Sequence, residues 1–234
     1  MNLSERLPMR EQLRGGRATF ARFVLRVMMW RLQPYQPVLV NGRLITRGLR
    51  GTDERLQAVL EICEQVEARS VLDLGCAEGY MVRSCAESGR FALGVDADAS
   101  RLLVAQQSLI LDGVTGFGFI RADVNVTTIR AFPASDVVVC LSLLHHVMYE
   151  HGVDGARSVV AAIKGITNRA LVFEMGQSDE TEFQWATSLP DMGSDPHAWI
   201  ADFLRSAGFV SVKKVAEVPS YNSRIARATF VATP

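Results

Sequence analysis

Cysteine is scarce in this chain: there are four among 234 residues, and Cys63, Cys76, Cys85 and Cys140 form no Cys-x-x-Cys pair and lie near no histidine at zinc spacing. Neither a disulfide framework nor a metal centre is expected, and a reducing cytoplasm is the expected compartment. Long apolar runs are missing as well. The nearest approach, Phe20 to Trp30, is interrupted by Arg22 and Arg26 and is too short to span a bilayer; it also lies too far into the chain, without a small-residue cleavage site, for a secretory signal. Repeats and low-complexity tracts are absent too, which argues against a solenoid. Net charge is zero, with 25 basic and 25 acidic residues, but this is a cancellation. Residues 1–50 hold ten Arg against two Glu, a net of +8, and residues 51–234 hold fifteen Lys and Arg against twenty-three Asp and Glu, a net of −8. The remaining composition, 48% hydrophobic and 21% charged, suits one sizeable domain over 51–234 behind a basic extension over 1–50.

The richest segment is Val71-Leu-Asp-Leu-Gly-Cys-Ala-Glu-Gly-Tyr80, followed by Phe91-Ala-Leu-Gly-Val-Asp96. It reads as a short apolar strand buried on both faces, a glycine turn, a helix start, and a second strand ending in a carboxylate. Helix starts present free N–H groups to a ligand. Asp96 falls 23 residues after Asp73, close to the offset of about 20 at which an acid reaches ribose hydroxyls in such crossovers. A dinucleotide site wants Gly-x-Gly-x-x-Gly; here Gly75-Cys-Ala-Glu-Gly79 carries Ala77 and no third glycine, which disfavours NAD.

Further strands are expected over Gly116 to Arg121, Asp136 to Ser142 and Ala170 to Glu174, with helices over Asp53 to Glu67, Asp98 to Leu111, Asp154 to Ile166 and Pro196 to Ala207. Val210 to Val218 and Ile225 to Thr233 read as a closing hairpin. Alternation of this kind predicts an α/β fold, a doubly wound, seven-stranded and mostly parallel sheet with a helical extension at its N-terminus.

In Asp73-Leu-Gly-Cys-Ala-Glu-Gly79, Asp96, Arg121-Ala-Asp-Val124 and Asp136 to Ser142, taken in order, the chain resembles class I S-adenosylmethionine-dependent methyltransferases, with Ala77 the one departure in the first motif. The resemblance implies S-adenosylmethionine as cofactor. Asp73, Gly75, Ala77 and Gly79 would then hold its methionine end, Asp96 its ribose, and Asp123 with the Val124 N–H its adenine. Cys76, Tyr80, Ala97 and Leu141 complete the expected cofactor contacts. Cys76 and Cys140 are expected as small buried residues beside the site.

Ligands in open α/β sheets sit beyond the carboxyl ends of the strands, so the acceptor should meet the residues after the fourth and fifth strands. There stand Ser142-Leu-Leu-His-His-Val-Met-Tyr-Glu-His-Gly152, with three of the four histidines, and Glu174. A neutral imidazole can take a hydroxyl proton near neutral pH, making His145 or His146 the candidate base, while the other braces the loop. Tyr149, His151 and Glu174 are candidate acceptor contacts. From Val71 to Pro234 the chain also resembles the methyltransferase domain of bifunctional kinase/methyltransferases that terminate bacterial O-antigen polysaccharides. The shared features are the Ala-containing first motif, Leu141-Ser-Leu-Leu-His-His-Val147 leading to His151-Gly-Val-Asp154, and Trp185-Ala-Thr-Ser-Leu-Pro-Asp191. That implies O-methylation of a glycan or glycolipid in surface polysaccharide biosynthesis, on a terminal phosphate or a sugar hydroxyl. These 234 residues show no kinase domain or coiled-coil tail, which makes the hydroxyl the more natural expectation. The alternatives are a small-molecule O-methyltransferase and a non-enzymatic scaffold. Base N-methylation is disfavoured, because Ser142-Leu-Leu-His145 stands where amino-group methylators carry Asn/Asp-Pro-Pro-Tyr.

The extension reads as an amphipathic helix, Ala18 to Leu32, presenting Phe20, Phe23, Val24, Val27 and Met28 with Arg22 and Arg26 turned away, then a loose linker, Val38 to Gly51. Three uses stay open: packing on its own domain or a second subunit as a homodimer, peripheral contact with an anionic inner-membrane surface, and, least, nucleic acid.

Overall fold

The computed structural model describes residues 16–49, 53–220 and 225–234, with side chains in the extension from Phe23 onward. The extension holds helix α1 (Gly16–Leu32) and a hairpin, β1 (Val38–Val40) and β2 (Arg43–Thr46). The domain follows as α2 (Asp53–Gln65), β3 (Ser70–Leu74), α3 (Tyr80–Glu87), β4 (Phe91–Asp96), α4 (Ala99–Leu111), β5 (Phe117–Arg121), α5 (Val126–Ala131), β6 (Ser135–Leu141), α6 (Leu144–Gly165) and β7 (Thr167–Glu174). It closes with a 3-10 turn (Gln184–Ser188), α7 (Pro196–Ser206), β8 (Ser211–Pro219) and β9 (Ala226–Thr233). The seven-stranded sheet runs β5-β4-β3-β6-β7-β9-β8, with β9 antiparallel to both neighbours and every other pairing parallel. This is the class I methyltransferase fold. Strand order reverses between β3 and β6, so the crevice opens at the carboxyl ends of those two strands.

Local chemistry sets the boundaries. Asp98 caps α4 by accepting from the Ser100 and Arg101 N–H groups, and Asn125 and Thr128 form a reciprocal capping box on α5. Asp195 caps α7, whose first residue is Pro196. The central residues of β3 (Val71 and Leu72), β6 (Val137 to Cys140) and β7 (Ala170 to Phe173) are apolar because both faces are covered: one by α5, α6 and α7, the other by α2, α3 and α4. Helix α6 begins ten residues before the expected Asp154, because Gly152 (φ 70°, ψ 179°) kinks the helix without ending it.

Two expectations for the extension are corrected. The linker from Val38 is a hairpin, whose turn is pinned where the Asn41 and Gly42 N–H groups donate to the Asp112 carboxylate at the end of α4. Arg83 supports it by pairing with Asp112 at 2.8 Å and donating to the Leu39 carbonyl at 3.2 Å. The helix also packs on the domain chiefly through a different stripe. Leu25 and Met29 are buried, flanked by Met28 and Leu32, against Val104 of α4 and Val38 and Val40 of β1. Of the stripe read from the sequence, for which packing on the domain is one of three open uses, Met28 packs there while Phe23, Val24 and Val27 are exposed, and the Phe20 side chain lies outside the described residues.

Candidate active site

The first motif turns tightly after β3: Gly75, Ala77 and Gly79 have φ of 77°, 46° and 73°. The Gly75 and Cys76 N–H groups donate to the Val95 carbonyl at 2.8 and 2.9 Å, and the Ala77 N–H to Asp96 Oδ2 at 2.8 Å. Asp96 Oδ1 accepts from the Asp98 N–H at 2.9 Å. Asp96 therefore holds the turn, and each oxygen keeps lone-pair capacity for a ribose hydroxyl. Gly79 does not face a ligand: a Cβ there would meet the Phe119 ring at 2.9 Å and Ala105 at 3.0 Å. Nor is the Tyr80 N–H open, since it donates to Gln36 Oε1 at 3.0 Å. The Tyr80 hydroxyl donates to Asp53 at 3.3 Å, and burial and Asp53 raise its pKa.

Asp73 is buried at the end of β3, and its Oδ2 has no hydrogen-bond partner among the described residues. Burial, then the Asp96 charge, raises its pKa to about 7 against the opposing pull of Arg55. Burial also lifts the Cys76 thiol well above its usual value, so Cys76 is an inert filler beside the turn.

A cleft of about 300 Å³ runs from this turn to the start of α6. It brings together Gly75, Ala77, Asp96, Leu141, His145 and His146. His145 is buried, and its Nδ1 accepts from the Gly176 N–H at 3.0 Å, which places its proton on Nε2. Its ring lies 4.3 Å from those of His146 and Trp185. His146 is exposed to the cleft, and partial desolvation, followed by the Arg227 charge, lowers its pKa below 6.5. Trp185 stacks on Phe183 at 5.1 Å and can lie flat only because residue 176 is glycine, where a Cβ would meet the indole at 2.3 Å.

The other expected residues lie elsewhere. Glu174 is fully buried, accepting from Ser142 Oγ at 2.7 Å, with Arg55 at 3.8 Å and Arg227 at 3.7 Å. Asp123 is exposed and Val124 half-buried past the end of β5, while Ala97 is exposed and accepts from Arg121 at 3.3 Å. Tyr149 and His151 are exposed farther along α6, and neither lines the cleft.

Several site residues escaped sequence reasoning. Arg227, in β9, forms a two-pronged pair with Glu180 at 2.7 Å on both arms, donates to Ser142 Oγ at 3.3 Å, and lies 5.3 Å from the Trp185 ring. Ser142 itself holds a left-handed φ of 58°, a strained conformation that clusters at working sites. Glu78 accepts from the Tyr35 and Gln36 N–H groups at 3.1 and 2.9 Å and pairs with Arg101, so the chain leaving α1 is tied over the first motif, and Tyr35 lines the cleft. Buried Arg55 approaches from α2. The one available signal was Glu78, a charge standing alone in the glycine-rich turn Gly75-Cys-Ala-Glu-Gly79.

Residues 71–164 match the family model of the methyltransferase domain. Residues 71–164 therefore carry a methyltransferase domain, set on the class I fold that the sheet order shows. The methyltransferase is 26% identical over 164 residues to the O-antigen chain terminator bifunctional methyltransferase/kinase WbdD of Escherichia coli, which covers 67% of this chain and 23% of that protein. It is 32% identical over 93 residues to the ubiquinone biosynthesis O-methyltransferase of Vibrio campbellii, covering 40% of this chain and 39% of that one. The methyltransferase thus spans less than half the length of either relative. Among solved structures, a crystal structure of WbdD superposes with a TM-score of 0.74 at 22% identity over 89% of this chain and 46% of that one. The N-terminal domain of EvdMO1, crystallised in the presence of SAH and D-fucose, gives 0.64 at 17% identity over 91% and 96%. Among the described residues no group of His, Cys, Asp and Glu could hold a metal, and no helix is long and apolar enough to cross a membrane.

The site fits S-adenosylmethionine. A buried, unpartnered carboxylate oxygen on Asp73 suits an ammonium, and Asp96 has acceptor capacity to spare at the ribose position.

Proposed function

We propose that this methyltransferase methylates a sugar hydroxyl of a glycan or glycolipid in surface polysaccharide biosynthesis, with His146 as the general base. Asp73, Gly75 and Ala77 would form the methionine end of the cofactor site, with Cys76, Gly79 and Tyr80 shaping the turn behind it, Asp96 and Ala97 the ribose end, Asp123 and Val124 the adenine end, and Leu141 its floor. When bound, the cofactor supplies an electrophilic methyl on a sulfonium, so alignment of the acceptor oxygen carries much of the rate.

The observation that carries the reading is His146. Its imidazole faces the cleft and is neutral at pH 7 because burial and Arg227 disfavour its charged form. A phosphate acceptor is already anionic and needs no base, whereas an alcohol must lose its proton as the new C–O bond forms. His145 cannot share the task through Nδ1, which is occupied by Gly176. The Trp185 and Phe183 wall gives the apolar C–H face of a sugar ring a surface to stack on, and Arg227 adds a donor at its edge. The relatives named for O-antigen termination and the neighbour crystallised in the presence of D-fucose support a glycan; the relative named for ubiquinone biosynthesis supports a small-molecule acceptor.

The test is turnover of S-adenosylmethionine against a panel of glycosides, sugar phosphates and catechols, read by S-adenosylhomocysteine release and product mass. His146→Gln should lower kcat roughly 10²–10⁴-fold while leaving cofactor affinity unchanged. The wild-type rate should fall only as pH drops below 6.5, through the lowered His146 pKa. Full activity of His146→Gln, or turnover confined to phosphates, would overturn the reading.

A further inference from the structure

The face of α1 that the fold leaves uncovered carries the next inference. Phe23 (64% exposed), Val24, Val27 and Trp30 (82%) point away from the domain, and Leu44, Ile45 and Leu49 of the hairpin region are exposed beside them. Between helix and hairpin run two grooves of about 420 and 500 Å³, both lined by Arg26 and Met29, the first also by Arg43, the second by Trp30 and Leu44. Arg31 and Arg47 are exposed as well. Apolar and aromatic side chains here alternate with arginines and nothing else charged: residues 12–52 contain eight Arg and not one Asp, Glu or Lys.

We infer that this surface docks onto an anionic lipid bilayer. Aromatic and aliphatic groups of this size enter the headgroup boundary, and arginines around them meet lipid phosphates. Charge complementarity decides against the rival occupant. Two copies joined through this face would set Arg26, Arg31, Arg43 and Arg47 against the same four charges with no carboxylate between them, a like-charge juxtaposition that opposes the contact. The acidic remainder of the chain, net −8 over residues 51–234, would be repelled from an anionic membrane, so the two halves together orient the molecule. Pro34 lines the second groove, and its neighbour Tyr35 lines the catalytic cleft, so a docked molecule would hold the cleft mouth near the lipid surface. The docking stands independently of which acceptor is methylated.

The experiment is co-sedimentation of the full chain with phosphatidylglycerol/phosphatidylcholine vesicles and with phosphatidylcholine vesicles alone. Binding is expected to the first only, and to fade at high salt. Arg26→Gln and Arg43→Gln should each weaken it about fivefold, and Trp30→Ser or Phe23→Ser roughly tenfold, with circular dichroism and S-adenosylhomocysteine binding unchanged. Because a serine variant can misfold, a second measurement uses brominated lipid: it should quench part of the wild-type tryptophan emission, and Trp30→Phe, which keeps binding, should abolish that part. No binding, equal binding to neutral vesicles, unaffected variants, or a dimer that Trp30→Ser dissolves without any lipid binding would each overturn the inference.

Discussion

Asp73 shows how burial sets the chemistry of a single side chain. Its carboxyl is buried with one oxygen unpartnered, and its pKa is raised to about 7 chiefly by that burial. An unfolded aspartate titrates near 3.9, so the favourable protonated form is fully available below that pH and is lost as pH rises toward 7. Native stability should therefore decline between pH 4 and 7 through this group alone, by on the order of 4 kcal/mol. Asp73→Asn removes the buried charge. Thermal melts should place this variant above wild type at pH 8 and level with it at pH 4.5, while calorimetry shows S-adenosylmethionine affinity reduced at least tenfold, since a charge-assisted hydrogen bond of about 1.5–3 kcal/mol is lost. An unchanged melting difference across pH would mean that Asp73 is not protonated in the free chain.

The element that departs from its family pattern is the turn between β3 and α3. Ala77 occupies a left-handed φ of 46°, which costs a non-glycine residue about 1–3 kcal/mol, and its N–H is held by Asp96. Ala77→Gly should relieve the strain and raise stability by up to about 1 kcal/mol, the unfolded chain's extra freedom offsetting the rest, with cofactor binding retained. Gly79→Ala should do the reverse, costing roughly 2 kcal/mol, because its Cβ meets Phe119 and Ala105 and its φ is 73°. Denaturant midpoints for the two variants check both signs. At this scale the sequence was most legible where chemistry is local. The buried strands β3 and β4 are largely apolar runs closed by Gly75 and Asp96, and the turn between them is written in its glycines. Legibility failed where packing partners decide. From Phe20 to Leu32 apolar residues cover most of the helix circumference, so the stripe Phe23-Val24-Val27 and the stripe Leu25-Met29 have equal claims, and only Val104 and the hairpin select the second. The strands of that hairpin are three and four residues long, too short to show a period. Arg227 and Glu180 lie 47 residues apart, and no spacing rule joins them to the histidines they serve.

Across the whole molecule the extension packs on the elements that build the cleft. Leu25, Met29, Val38 and Val40 bury Val104 of α4, Gln36 occupies the first donor of α3, and Glu78 gathers Tyr35, Gln36 and Arg101. A chain beginning at Gly51 would expose this apolar seam, leave the Tyr80 N–H without its acceptor and strip Glu78 of its Tyr35 and Gln36 donors, with only the Arg101 pair remaining. Loss of four buried apolar side chains at about 1.5–3 kcal/mol each, less the entropy of ordering the extension, should lower the melting temperature by roughly 10 °C. Cofactor affinity should fall with it, because Tyr35 no longer covers the cleft. A milder variant separates the two effects. Gln36→Ala keeps the seam and removes only the cap on α3, so it should weaken S-adenosylhomocysteine binding several-fold, about 1 kcal/mol, with a melting shift of no more than about 4 °C. If the truncated chain binds cofactor as tightly as the full one, the extension is an appendage of the catalytic domain. If Gln36→Ala alone weakens binding, the cofactor site begins before residue 51, and anything that moves the extension also tunes the chemistry.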